Sequence, residues 1–181
     1  MSITSNWRTA SCMVTFLVLS VLVFWHPQPV RAADPDVEAN RAMIDGMYAL
    51  EEWHIDKGVF HPPQVEGRFT LLNGAVVAVI HNRIEEANRK TVVSYGNYVL
   101  TAKEFSYRYE DASVFTQTSS GITVSNKPFW EGMRSFDVSR EGKTVRFLSA
   151  TGEEFLFNRE GLKYSQKGKL LRVWRRIQSN Q

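Results

Sequence analysis

The chain has 181 residues, with 22 Lys and Arg against 19 Asp and Glu and a formal net charge of +3. Arg8 and Arg31 lie within the first 32 residues, so beyond them 20 basic residues face 19 acidic ones and the net charge is +1. A chain this close to neutral carries no global signal for nucleic-acid binding, and a lone Cys12 excludes disulfides, thiolate metal sites and a cysteine nucleophile from everything after it.

In chain order, the first feature is an address. Arg8 precedes Met13 to Trp25, a 13-residue run without charge, and Pro27, Pro29 and Val30-Arg31-Ala32 follow. A spanning helix needs about 20 apolar residues, so the run reads as a secretory signal at 1–32, cleaved after Ala32, in preference to an uncleaved anchor. Cys12 stands before the apolar run, the wrong side for a lipoprotein acceptor. The expected product is a periplasmic or secreted domain at 33–181, with no stable membrane anchor after cleavage. One core suffices for a domain of that size.

Ala33 to Asp45 predicts one or two helical turns begun by Asp34-Pro35-Asp36. Gly46 to Ile55 predicts a strand with Tyr48, Leu50, Glu52 and His54 on one face and Met47, Ala49, Glu51 and Trp53 on the other. After His61-Pro62-Pro63, strands over 67–72 and 75–81 meet at Asn73-Gly74, a strong short-hairpin signal. Ile84 to Lys90 is a loop or a single helical turn. Strands over 91–101 and 103–110 follow, with Gly96 marking a bulge or bend and Phe105, Tyr107 and Tyr109 alternating with polar residues. Ser113 to Ser125 gives two weak strands around Gly121, and Pro128 to Gly132 an aromatic loop. From Met133 a meander turns at Gly142, Gly152, Gly161 and Gly168, with Val145 and Phe147, then Phe155 and Phe157, each pair on one strand face. The fold class expected is all-β, a single antiparallel barrel with a short N-terminal helix. The last strand admits two phases: Leu171, Val173 and Arg175 inward, or Leu170, Arg172, Trp174 and Arg176 inward.

Four short patterns, in order, cover nearly all of 33–181: Gly46 to Tyr48, Tyr95-Gly96-Asn97-Tyr98, Phe129-Trp130-Glu131-Gly132, and Leu171 to Arg176. Together they resemble the bacterial lipocalin-like domain family, a calycin-type β-barrel. Tyr48 stands where that family's Gly-x-Trp strand has tryptophan. The resemblance implies a barrel floor closed by Gly46, Tyr48 and Trp174, with Arg175 or Arg176 across the Tyr48 ring. It also implies that the barrel holds a small, mostly apolar molecule.

A barrel of about eight strands encloses side chains or one small ligand. The candidate ligand-binding residues are Trp53, Tyr95, Tyr98, Phe105, Tyr107, Phe129, Trp130, Phe136 and Phe147, with Phe129-Trp130 as a mouth or lid. Tyr and Trp suit a wet cavity because their polar tips need partners. His54, His61 and His81 fall on separate elements, so no metal site is expected. No nucleotide or hydrolase motif occurs, so no cofactor is expected. Two alternatives stand beside the carrier. Glu52 and His54 are weak catalytic candidates for an isomerase, lyase or hydratase on an apolar metabolite. In the other, the Phe129-Trp130 loop or the basic last strand docks on another protein or envelope surface, as an envelope interaction module. The sequence leaves the oligomeric state open.

Overall fold

Asp34 starts the described chain by capping a helix: its carboxylate accepts from the Asp36 N–H at 3.0 Å, with Pro35 at the first helical position. The computed structural model describes residues 34–127 and 130–177. The proposed signal segment 1–32, including Cys12, lies outside these residues, as does Phe129. Helix α1 (Pro35–Ile44) runs longer than the one or two turns expected, with Asp36 and Glu38 in its first turn and Arg41 in its last. Those charges complement the helix dipole at both ends.

Twelve strands follow among the described residues. β1 (Gly46–Ile55) and β2 (Gly58–Phe60) form a short hairpin, and β3 (Val65–Leu72) and β4 (Ala75–Asn82) a longer one. The turn between β3 and β4 has positive φ at both Asn73 (51°) and Gly74 (83°), the backbone of a two-residue hairpin that matches strand twist. A 3-10 turn at Glu86–Asn88 leads to β5 (Arg89–Leu100), then β6 (Glu104–Thr118) and β7 (Gly121–Asn126). The meander is β8 (Arg134–Glu141), β9 (Thr144–Leu148), β10 (Glu153–Phe157), β11 (Gly161–Gln166) and β12 (Lys169–Ile177).

Ten of these close on themselves in the order β1-β3-β4-β5-β6-β8-β9-β10-β11-β12, with β12 pairing back to β1, every pairing antiparallel. β2 extends the end of β1, and β7 pairs with the far half of β6. Closure removes the exposed ladder edges that an open sheet would present. The barrel therefore has two more strands than the eight or so expected.

Register irregularities set which side chains enter. Between Leu50 and Glu52 the β1–β12 register slips by one, so Leu50 faces Trp174 while Trp53 faces Arg172. Leu50 is buried, and after the slip Trp53 turns inward. This corrects the simple alternation, which put Glu52 and His54 on the same face as Tyr48 and Leu50. A second slip falls between Tyr95 and Gly96, as the glycine suggested. A Cβ at Gly96 would stand 1.9 Å from the Arg108 carbonyl oxygen. Gly161 differs from the turn role expected of it: it opens β11, and a Cβ there would stand 1.9 Å from the Trp174 carbonyl oxygen. Its role is close approach between strands.

Aromatic rings fill the middle of the barrel. Phe105 stacks on Phe147 with centroids 4.4 Å apart and planes 11° apart, and Phe147 meets Phe157 at 5.1 Å. Tyr48 touches Phe157 at 6.0 Å, and Phe136 packs between Phe105 and Tyr107. Tyr48, Phe136, Phe147 and Phe157 are fully buried. Each such ring is worth about 1.5–3 kcal/mol of burial, and each favourable pair about 0.5–1.5 kcal/mol more.

Candidate functional site: a closed floor and an aromatic cavity

One end of the barrel is sealed by hydrogen bonds to α1. The Tyr48 hydroxyl donates to the Ile44 carbonyl at 2.6 Å and accepts from Arg176 Nη2 at 2.8 Å. Arg176 also donates to the carbonyls of Asp45, at 3.0 Å, and Met43. Its guanidinium carbon lies 5.2 Å from the centre of the Tyr48 ring. Tyr98 reaches the same knot by donating to the Asp45 carboxylate. Burial pushes the Tyr48 hydroxyl up to about 12, against the lowering pull of Arg176; burial and the Asp45 bond raise Tyr98 to about 12 as well. Arg176 is thus the cation across Tyr48. Arg175, next along β12, points outward and pairs with Glu51 at 2.7 Å. Gly46 leaves room for Arg176, whose Nη1 lies 3.3 Å from where a Cβ would stand.

Toward the other end of the strands lies a cavity of about 380 Å³. Its walls come from β1 (Trp53), β3 (Phe69), β4 (Ala78, Ile80), β5 (Val92, Ser94) and β6 (Tyr107, Tyr109). Trp130 and Arg134 close another side, and Phe155, Leu162, Tyr164, Arg172 and Trp174 complete it. Trp130 meets Tyr107 edge-on at 5.4 Å and Tyr109 at 5.2 Å, and carries the Arg134 guanidinium 3.8 Å from its ring centre. Arg134 in turn pairs with Glu153 at 2.8 Å, and the Tyr164 hydroxyl donates to the same carboxylate oxygen at 2.8 Å. Burial raises the phenols of Tyr109 and Tyr164 to about 12 and pushes that of Tyr107 well above its ordinary value. All three stay neutral at physiological pH, with the Tyr164 proton held by Glu153.

The nine candidate ligand-binding aromatics separate into groups. Trp53, Tyr107 and Trp130 line the cavity. Phe105, Phe136 and Phe147 pack the core beneath it, and Tyr98 belongs to the sealed floor. Tyr95, immediately before the register slip between β5 and β6, is 53% exposed on the outside of the barrel. Phe129 lies outside the described residues. Trp174, assigned to barrel closure, is buried against Phe69 and also lines the cavity.

Glu52 and His54 bond to each other at 2.7 Å, yet neither lines the cavity, because the β1 slip turns Trp53 inward in their place. His61 bonds the Glu51 carbonyl and His81 the Thr91 hydroxyl, each at 3.0 Å. Among the described residues no three His, Cys, Asp or Glu side chains converge as metal ligands. A groove of about 790 Å³ runs outside the barrel past Glu51, Glu66, Arg68 and Arg175. Although larger, it is the weaker site: Glu51 is engaged by Arg175 and Glu66 by Arg83, and Glu52 bonds His54.

Sequence reasoning did not single out Arg172, Arg134, Tyr164 or Ser94. The signal for Arg172 was the alternation Arg172-x-Trp174-x-Arg176, which the structure resolves as the inward phase of β12. No family model, curated protein or solved structure matches this chain.

Proposed function

We infer that the chain is an exported, lipocalin-like carrier that holds a small, mostly apolar molecule in its barrel. The observation carrying this reading is the 380 Å³ cavity, walled by Trp53, Tyr107, Trp130 and Phe155 and tipped with neutral phenols. Ligand sites are typically about 300–1,000 Å³, apolar, with a few placed polar groups. The Tyr48–Arg176 floor supports the lipocalin-like reading, because an inward arginine of the last strand crosses the aromatic ring of the first. The apolar run at 13–25 supports export.

The test is binding to residues 33–181, read by tryptophan fluorescence, since Trp53 and Trp130 both border the cavity. Small aromatic and aliphatic molecules should bind one to one. Ala78→Leu, which pushes three heavy atoms into the cavity, should weaken binding about tenfold or more, against no change for Val99→Ser on the exposed outer face. Equal binding by both variants would place the ligand outside the barrel and end the carrier reading.

A further inference from the structure

Arg172 enters the cavity from β12 with no acid beside it. Its guanidinium carbon lies 4.2 Å from the centre of the Trp53 ring and 5.4 Å from that of Tyr164. Its Nε is buried and has no hydrogen-bond partner among the described residues. The groups whose charges act on it are the phenols of Tyr164, Tyr109 and Tyr107, and desolvation depresses its pKa. Glu153, beside the cavity, is engaged by Arg134 and Tyr164. Every charged side chain in the lining is a cation: Lys90, Arg134 and Arg172. A buried charge is costly unless something of opposite sign pairs with it.

We propose that the molecule held in this cavity is an apolar carboxylate whose head group pairs with the Arg172 guanidinium. The proposal rests on the carrier reading and adds the ligand's charge. A guanidinium presents parallel N–H donors that match one carboxylate, and one unpaired guanidinium balances one negative charge. The Tyr109 phenol borders the same site, whereas the Tyr164 proton is already given to Glu153. The apolar body lies against Phe155 and Trp130. The cavity has room for about a dozen non-hydrogen atoms, taking ~30 Å³ for each by analogy with a water molecule.

The experiment compares decanoate with 1-decanol, two chains of equal length, by calorimetric titration of residues 33–181 at about pH 7.5, far above the carboxyl range. Decanoate should bind about tenfold or more tighter than decanol. Arg172→Met should abolish that preference by weakening decanoate about tenfold while leaving decanol within about twofold, and Arg172→Lys should fall between. Equal affinity of the two ligands for the unmutated protein would overturn the carboxylate proposal and leave the carrier reading standing, with no variant required to fold. An unchanged preference in Arg172→Met would overturn it as well. Binding of neither ligand would overturn the carboxylate proposal, and the carrier reading would then be decided by the Ala78→Leu titration.

Discussion

Arg176→Met should destabilise the barrel far more than the same change one residue earlier. Arg176 supplies the Asp45 and Met43 carbonyls with donors, contacts the Tyr48 hydroxyl at 2.8 Å and lies over its ring. Methionine keeps much of the side-chain volume but no donor. Two carbonyls at the end of α1 lose their bonds to the guanidinium, at about 1–3 kcal/mol for an acceptor left buried, and the cation–π contact is worth about 0.5–2 kcal/mol. Allowing for partial access of water, the expected loss is about 3 kcal/mol. For a domain of this size that is a fall of about 6–12 °C in Tm. Arg175 is exposed and its pair with Glu51 is solvated, so Arg175→Met should cost less than about 1 kcal/mol. Urea unfolding of residues 33–181 followed by circular dichroism measures both. Tyr48→Phe combined with Arg176→Met should show a coupling of about 0.5–3 kcal/mol. If Arg176→Met is no costlier than Arg175→Met, the floor is held by burial alone and the reasoning fails.

Gly96→Ala and Gly161→Ala should each lose about 2 kcal/mol or more, because a methyl would stand 1.9 Å from a partner carbonyl oxygen; a Tm within a degree of the parent would contradict the register described. Stability should fall in alkali. Tyr48, Tyr98, Tyr109 and Tyr164 have folded pKa values raised from 10.0 to about 12, so the folded state holds more protons between those values. Their contribution is complete below about pH 10 and is lost as pH rises through about 12; phenolate absorbance reaching its full value by pH 11 in a still-folded protein would refute it. Glu153→Gln should destabilise by about 1–2 kcal/mol, since the charge opposite Arg134 and the strong acceptor for Tyr164 go together. An unchanged urea midpoint would show that this pair is solvated and energetically idle.

The barrel was legible because its signals are local. Asn73-Gly74 fixes a hairpin, the period-two run Phe105, Tyr107 and Tyr109 fixes a strand face, and the meander glycines mark its turns. The cavity was less legible because its walls depend on slips of register that leave little local trace. The slip at Leu50/Glu52 has no glycine to announce it, and it exchanges Glu52 and His54 for Trp53 at the inner wall. Arg172 belongs to a strand where both phases carry apolar and basic residues, and only pairing with β1 and β11 selects one. Tyr95 and Tyr98 show the same limit within one strand: an odd spacing of three places them on opposite sides of β5, one exposed and one sealed in the floor.

The most direct test of the carrier reading is native mass spectrometry of residues 33–181 purified from cells that export the chain, paired with denaturing extraction of whatever is bound. A one-to-one adduct that releases a small, mostly apolar molecule is the predicted result. A bare protein mass that stays bare after incubation with a broad set of lipids and aromatic metabolites would contradict it.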